Sequence, residues 1–162
     1  EEIEFAIEKL TQNLQDDFMD EVPVFIGVLN GSFRFTAQVM KNYNYDCKIS
    51  FVKIASYQGT QNQSIEELIG INEDLKDKHV VILEDIVDTG NTVEFLKNKL
   101  KTYSPKSVKI ATMFFKPEVY QKNIKIDYSA IRIQDKFIVG YGLDYNGLGR
   151  NLNDVYVLSE NN

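Results

Sequence analysis

The stretch "VVILEDIVDTGNT", from Val80 to Thr92, joins an apolar run to a polar loop. The apolar run is typical of a buried parallel strand, and it ends in the carboxylates Glu84 and Asp85, with Asp88 close behind. Small residues that carry hydroxyl or amide groups then lead into a helical pattern. Because ligands of parallel α/β sheets bind beyond the carboxyl ends of the strands, the stretch predicts a strand, a ligand-binding loop and a helix in that order.

The chemistry of this loop suits a sugar phosphate. Glu84 and Asp85 offer two carboxylates, which match the two donors of a vicinal diol. Backbone N–H groups before a helix, helped by the helix dipole, hold a phosphate, and Gly90 permits backbone conformations that other residues resist. The predicted ligand is therefore a ribose 5-phosphate. Its phosphate would lie on the phosphate loop, which comprises Asp88, Thr89, Gly90, Asn91 and Thr92. Taken alone, the stretch is equally consistent with a capped helix behind a strand.

Strand and helix patterns alternate along the rest of the chain. Apolar runs predict strands at residues 22–29, 47–56, 79–85, 107–115, 128–133, 136–142 and 155–159. Helical spacing predicts helices at residues 2–15, 33–43 and 93–103. The polar segment 56–64 has the composition of a mobile loop. The alternation predicts an α/β domain with a mainly parallel, twisted sheet flanked by helices.

Composition limits the classes of protein. The 162 residues, 43% of them hydrophobic, suit one domain spanning residues 1–162, and an initial Glu rather than Met predicts an incomplete N-terminus. A net charge of −6 disfavours nucleic-acid binding. A single cysteine, Cys47, favours a reduced, cytoplasmic setting, and no apolar run approaches the ~20 residues of a membrane span. One histidine and one cysteine argue against a zinc cluster, and the Walker and GxGxxG motifs are absent.

The opening stretch resembles the phosphoribosyl-diphosphate signature of the type I phosphoribosyltransferases. "VLNGS" (28–32) resembles the family's diphosphate loop, and "ASYQGT" (55–60) the flexible loop of its hypoxanthine-guanine branch. "DKFIVGYGLDYNGLGRNL" (135–152) resembles the purine pocket and the arginine that follows it. These motifs occur in the family's order, and the resemblance covers residues 22–159. It implies the family's fold, with a small hood formed by terminal segments.

The resemblance also implies an activity. In this family a purine nitrogen displaces diphosphate from C1 of phosphoribosyl diphosphate. The expected reaction is purine salvage, in which hypoxanthine, and also guanine, gives IMP or GMP and diphosphate. Glu84 and Asp85 would bind the ribose hydroxyls and, with Asp144, the Mg²⁺ ion. Asp88 matches the acid near purine N7, where it would act either as a proton acceptor or through electrostatics.

The remaining motifs assign residues to the base, the diphosphate and a lid. Lys116 would donate to the purine 6-oxo group, Phe137 would stack on the ring, and Ile138 and Asp144 would meet the base edge. Without the resemblance, the sequence would favour an ordinary solvated lysine at position 116 and a core residue at Phe137. Asp144 and Arg150 would then form a surface ion pair. The implied diphosphate site consists of Leu29, Asn30, Gly31 and Arg150, and the implied lid residues are Ser56 and Tyr57.

Two details qualify the implied diphosphate site and the assembly. The family often has a non-proline cis peptide in the diphosphate loop, and Asn30 replaces a basic residue that is common there. Family members usually form homo-dimers or homo-tetramers, so we expect the same here.

Other functions remain open from the sequence. A phosphoribosyltransferase for another base, such as xanthine, adenine or a pyrimidine, would share most of these motifs, although Lys116 and the segment 137–144 favour a 6-oxopurine. A non-catalytic regulator of the same fold would bind nucleotide or RNA, which the intact Asp88 and the acidic charge disfavour. A receiver-type signalling domain would carry its acid pair earlier in the chain.

Overall fold

The structure, a computed structural model, describes residues 1–58 and 63–159, with the side chains of residues 56–58 and 63–66 left undescribed. Within these ranges the chain forms the helices α1 (Glu2–Phe18), α2 (Phe33–Asn42) and α3 (Asn91–Lys101). The strands are β1 (Val24–Leu29), β2 (Lys48–Gln58), β3 (Gln63–Ile69), β4 (His79–Val87), β5 (Ser107–Phe115), β6 (Tyr128–Arg132), β7 (Ile138–Val139) and β8 (Tyr156–Val157). No helix of the described residues is long and apolar enough to cross a membrane.

Six strands form the main sheet in the order β3-β2-β1-β4-β5-β6. All neighbouring pairs are parallel except β2–β3, which is antiparallel, so the predicted α/β fold with a mainly parallel sheet is confirmed. After β1 the chain moves through α2 to β2 on one side, and after β4 it moves through α3 to β5 on the other. The carboxyl ends of β1 and β4 therefore lie at a topological switch point, where this fold class binds ligands.

Two hydrophobic layers cover the two faces of this sheet. On β4, Val81 and Leu83 pack into one core with α1 and α2, while Val80 and Ile82 pack into a second core with α3. Alternate residues thus serve opposite faces, which explains why a strand buried on both faces is a continuous apolar run. The acids that follow this run are carried to the carboxyl edge of the sheet.

The segment predicted as a loop at residues 56–64 is a β-hairpin where it is described. Residues 56–58 continue β2 and pair with residues 63–65 of β3, while residues 59–62 lie outside the described part of the chain. The prediction of a loop was wrong for residues 56–58 and 63–64, which belong to an edge hairpin, and it stays a prediction for residues 59–62. Backbone hydrogen bonds hold such a hairpin without the apolar alternation by which buried strands are recognised.

Several element ends differ from prediction for local reasons. Helix α1 continues to Phe18, which is buried four residues after the buried Leu14. Strand β4 extends through Val87, and α3 begins earlier than predicted, at Asn91. Strand β7 stops at Val139 because Gly140, Tyr141 and Gly142 all have positive φ angles of 110°, 51° and 105°. β7 then pairs with β8 in a separate two-stranded sheet, the C-terminal hood.

Candidate active site

The acidic end of β4 and the diphosphate loop share one cavity. This cavity, of about 230 Å³, is lined by Val28, Leu29, Gly31, Ile54, Glu84, Asp85, Ile86 and Thr92. The two acids are adjacent on the strand, yet both line it, as expected for residues at the twisted end of a strand. The cis peptide that the family resemblance implies is present between Leu29 and Asn30. Asn30 itself is exposed, and its carbonyl oxygen accepts the Phe33 N–H at 3.2 Å.

Burial controls the charge of the two acids. Desolvation, with a smaller contribution from Asp85, raises the pKa of Glu84 well above its ordinary value. Desolvation also raises the pKa of Asp85 to about 6, although the Ile86 N–H, which donates to Oδ1 at 2.9 Å, and the charge of Arg150 oppose the increase. Glu84 Oε1 is buried and has no hydrogen-bond partner among the described residues. An orphaned carboxylate oxygen of this kind suits a site that a hydroxyl or a cation completes.

The phosphate loop lines a second, smaller cavity. This cavity, of about 100 Å³, is bounded by Glu84 and by residues 86–93, so Glu84, Ile86 and Thr92 line both cavities. Gly90 occupies the N-cap position of α3 with φ 89°, a conformation that favours glycine. A single ligand with an anionic group at the N-terminus of α3 and hydroxyls near Glu84 fits across the two cavities.

A segment after β5 supports the phosphate loop from behind. The Gln121 N–H donates to the Thr89 carbonyl oxygen at 3.2 Å. A Cβ at Gly90 would lie 2.5 Å from the Tyr120 ring and 2.8 Å from Cγ of Lys122. The loop and this segment are therefore in direct contact, and only a glycine fits between them.

The structure describes the surroundings of Lys116 and Phe137, two residues predicted to meet a base. Lys116 is only 6% exposed, and its Nζ lies 3.4 Å from Asp88 Oδ2 and 3.1 Å from Asp135 Oδ1. Its reading as an ordinary solvated lysine is therefore wrong. Phe137 is 55% exposed and packs edge-on against Tyr145 at 5.8 Å, so its reading as a core residue is also wrong. An exposed ring two residues after Asp135, the partner of this buried cation, is a suitable surface for a planar heterocycle.

The hood meets the diphosphate loop at Gly142. A Cβ at Gly142 would overlap the Gly31 carbonyl oxygen, so backbone lies against backbone there. Arg150 donates to the Gly142 carbonyl oxygen at 2.7 Å and pairs with Asp144 at 2.9 Å. The ion pair between Asp144 and Arg150 is thus present, and it stands beside the diphosphate loop rather than on a remote surface.

The roles assigned to the predicted site residues all stay predictions. Ser56 and Tyr57 belong to β2 by backbone, and their side chains are not described. In the described part of the chain, no group of three or more His, Cys, Asp or Glu residues is arranged to hold a metal ion. Two residues at the site, Asp135 and Tyr120, were not predicted. Asp135 lies in the motif two residues before Phe137, whereas nothing in the sequence signals that Tyr120 contacts Gly90.

Comparison with known proteins identifies the family. The sequence pattern of the phosphoribosyl transferase domain matches residues 1–146. The chain belongs to the phosphoribosyltransferase family. This phosphoribosyltransferase is 38% identical over 162 residues to the hypoxanthine-guanine phosphoribosyltransferase of Streptococcus pneumoniae, covering 99% of this chain and 90% of that protein. It is 37% identical to the protein of the same name from Streptococcus mutans, with the same coverage.

Solved structures agree with this assignment. The hypoxanthine-guanine phosphoribosyltransferase of Bacillus anthracis, with a HEPES molecule in its active site, superposes on this phosphoribosyltransferase with a TM-score of 0.93. The two proteins are 32% identical, and their alignment covers 98% of this chain and 94% of the B. anthracis chain. The hypoxanthine phosphoribosyltransferase of Trypanosoma cruzi in complex with the product IMP gives a TM-score of 0.91 at 31% identity, covering 98% and 90%. The family and fold predicted from the motifs are thereby confirmed.

Proposed function

We propose that the protein transfers the 5-phosphoribosyl group of phosphoribosyl diphosphate to hypoxanthine, and also to guanine, in purine salvage. The products are IMP or GMP and diphosphate. The observation that carries the proposal is the junction of two cavities at Glu84, beside Asp88 and the buried cation of Lys116. The likeness to relatives named hypoxanthine-guanine phosphoribosyltransferase supports the choice of base.

Each part of the substrate can be assigned to residues of the site. Purine N9 forms a bond to C1 of the ribose while the bond from C1 to the diphosphate oxygen breaks, and its electron pair leaves with diphosphate. We assign the 5-phosphate of phosphoribosyl diphosphate to the N-terminus of α3. The loop there consists of Thr89, Gly90, Asn91 and Thr92, and Asp88 lies at its start. The N-terminal dipole and the backbone N–H groups of a helix stabilise such an anion.

Asp88 is the proposed catalytic residue. Its carboxylate is close to half exposed, directly after β4, and Lys116 holds one of its oxygens. As N9 attacks, Asp88 either takes the proton of the purine or stabilises the positive charge that develops at the ribose centre. Both roles require a charged carboxylate beside the base.

We propose Mg²⁺ as the cofactor, held by Glu84, Asp85 and Asp144. The fit rests on Glu84 Oε1, a buried oxygen without a hydrogen-bond partner among the described residues, and on carboxylates as preferred ligands of this hard cation. Mg²⁺ commonly binds through one or two carboxylates and substrate phosphates, so a compact cluster of three acids is not required. When bound, it would neutralise the charge of the diphosphate as that group leaves.

The rest of the site completes the proposal. The diphosphate is bound by Leu29, Asn30, Gly31 and Arg150. Phe137 stacks on the base, and Lys116 donates to its 6-oxo group. The edge of the base is contacted by Ile138 and Asp144. Ser56 and Tyr57, on the β2–β3 hairpin, serve as a lid that keeps water from the ribose centre. The chain acts as one domain in the cytoplasm.

We propose a homo-dimer or homo-tetramer that forms through an apolar surface. Phe33 on α2 and Ile49 and Phe51 on β2 are 43%, 39% and 37% exposed. Ile49 is in register with Phe25, which packs toward α2, so these side chains lie on the same side of the sheet. Light scattering at several protein concentrations tests this assignment, since replacing Phe51 by a charged residue should yield monomers.

A parallel product assay tests the function. The protein is incubated with phosphoribosyl diphosphate, Mg²⁺ and one of hypoxanthine, guanine, xanthine or adenine. We expect nucleotide from hypoxanthine and guanine and very little from adenine, because its 6-amino group cannot accept a hydrogen bond from Lys116. Equal rates with adenine and hypoxanthine would overturn the assignment of the base. Nucleotide binding without product from any base would favour the regulatory alternative.

A further inference from the structure

We infer that Asp135 is a specificity-determining positioning residue, which holds the ammonium group of Lys116 where it can donate to a 6-oxopurine. The inference rests on the proposed function and adds a residue to it. Asp135 lies in the connection between β6 and β7, two residues before Phe137 and outside the phosphate and diphosphate loops.

The lysine is fixed at both ends. Its backbone N–H donates to the Val87 carbonyl oxygen at 3.0 Å, which anchors Lys116 to the end of β4. Its buried Nζ lies between two carboxylates, 3.1 Å from Asp135 Oδ1 and 3.4 Å from Asp88 Oδ2. An ammonium group has three donors, so two contacts to the protein leave one donor for a ligand. The shorter contact is to Asp135.

The two carboxylates have different tasks in this arrangement. Asp88 must face the reacting base, and a lysine paired only with Asp88 would be drawn toward it and away from the oxo group. Asp135 attracts the same ammonium from a second direction, which fixes its position. The arrangement also leaves Asp88 less completely neutralised, because Lys116 is shared.

The same ion pair secures the segment that carries the stacking ring. The Ile133 N–H donates to the Phe115 carbonyl oxygen at 2.9 Å, so the chain leaving β6 is already attached to the end of β5. The pair of Asp135 with Lys116 adds a second attachment, just before Phe137 and Ile138. The donor for the oxo group and the ring that stacks on the purine are therefore positioned by one contact.

The substitution Asp135→Asn tests the inference, because it keeps the shape of the side chain and removes its charge. We expect KM for hypoxanthine to rise about tenfold or more, as for loss of a hydrogen bond to a charged group, and the preference for hypoxanthine over adenine to narrow. KM for phosphoribosyl diphosphate should stay unchanged. Asp135→Glu, which restores the carboxylate, should recover most of the lost affinity for the base. Asp135 is about half exposed, so both variants should fold.

A matched control uses a second aspartate–lysine pair. Asp17 Oδ2 lies 3.2 Å from Lys109 Nζ, near the start of β5, at the opposite end of this strand from Lys116. Asp17→Asn should leave both KM values and the base preference unchanged.

Three results would overturn the inference. Unchanged KM and base preference in Asp135→Asn would show an ordinary surface ion pair, with the proposed function intact. An equal rise of both KM values without rescue by glutamate would show a structural role only. Absence of product from the wild-type protein with any purine would overturn the proposed function, and this inference with it.

Discussion

Gly31 lies directly against the carboxylate of Asp85, so that a Cβ at position 31 would overlap Oδ2 of that acid. The backbone of the diphosphate loop therefore touches the Asp85 carboxylate at the end of β4, and no other side chain lies between them. The contact forms because β1 and β4 are parallel neighbours whose carboxyl ends lie side by side. The cavity at the carboxyl end of β4 is therefore lined here by the backbone of Gly31 and the carboxylate of Asp85.

The substitution Gly31→Ala tests the importance of this contact. The added methyl must displace the Asp85 carboxylate, so we expect kcat/KM for phosphoribosyl diphosphate to fall about 10- to 100-fold, a cost of roughly 1–3 kcal/mol. Steady-state kinetics with phosphoribosyl diphosphate as the varied substrate measures the effect. Gly70→Ala is the control, because its Cβ would also meet a carboxylate oxygen, Glu67 Oε1 at 2.9 Å, and neither residue lines the two cavities. Equal kinetics for the two variants would contradict the prediction.

Asp88→Asn should affect the chemical step more than substrate binding. The variant keeps the shape of the side chain but cannot accept a proton or stabilise a cation as a carboxylate does. We expect kcat to decrease by about 10²–10⁴, the usual scale for loss of an acid–base group. Rapid-quench measurement of a single turnover separates chemistry from product release. An unchanged kcat accompanied by a raised KM would make Asp88 a binding residue only.

Gly90→Ala should destabilise the protein through a contact specific to the phosphate loop. Gly90 and Gly147 both have positive φ angles, 89° and 80°, but a Cβ at Gly90 would press on the Tyr120 ring whereas a Cβ at Gly147 meets nothing within 4 Å. Both alanine variants share the backbone strain, about 1 kcal/mol, and Gly90→Ala should lose about 1–3 kcal/mol more by overpacking. Urea unfolding of the two variants gives this difference directly, and equal free energies of unfolding would refute the packing argument.

Stability should depend on pH through the buried acids. Burial raises the pKa of Asp85 to about 6, so the protonated form is favoured in the folded protein. Its contribution to stability is complete below its ordinary pKa of about 4 and is lost as the pH rises through the folded value. Asp85→Asn does not titrate, so it should gain stability relative to wild type as the pH rises from about 4 to about 6, with no further gain well above pH 6. Urea unfolding without Mg²⁺ or substrate measures this, and parallel pH curves would contradict it.

Ligand binding should show the opposite dependence on pH. Mg²⁺ and the ribose hydroxyls require ionised Glu84 and Asp85, so affinity for phosphoribosyl diphosphate with Mg²⁺ should increase as the pH rises through about 6. Removing Mg²⁺ with a chelator should reduce this increase to the part that the ribose hydroxyls contribute. Calorimetric titration at several pH values follows both effects, and affinity that does not change with pH would argue against ionised acids in binding.

The lid role of the hairpin is testable by amide exchange. Residues 56–58 pair with residues 63–65 at the edge of the sheet, where strands exchange more readily than in the centre. If Ser56 and Tyr57 close over bound substrate, exchange of these amides should slow in the presence of Mg²⁺ and a transition-state mimic. Amides of β6, at the opposite edge of the sheet, serve as the internal reference. Equal exchange at residues 56–58 with and without ligand would make the hairpin a fixed structural element.

The sequence was sufficient to predict the parts of the fold that depend on local pattern. A strand buried on both faces is largely apolar, so the sequence alone predicts the strands that contain Leu29, Leu83 and Phe115. The loop from Asp88 to Thr92 follows such a strand and begins a helix, and this order of residues already indicates an anion site. The edge hairpin was missed because its residues satisfy backbone hydrogen bonds without burying a regular apolar face.

Contacts between distant parts of the chain were decided only by the tertiary structure. The approach of Gly31 to Asp85 and the pairing of Lys116 with Asp135 depend on which strands become neighbours. That order is set by packing two hydrophobic cores on opposite faces of one sheet, which no single segment specifies. Residue types and their order therefore fixed the chemistry available at the site, whereas strand order fixed which of those groups meet.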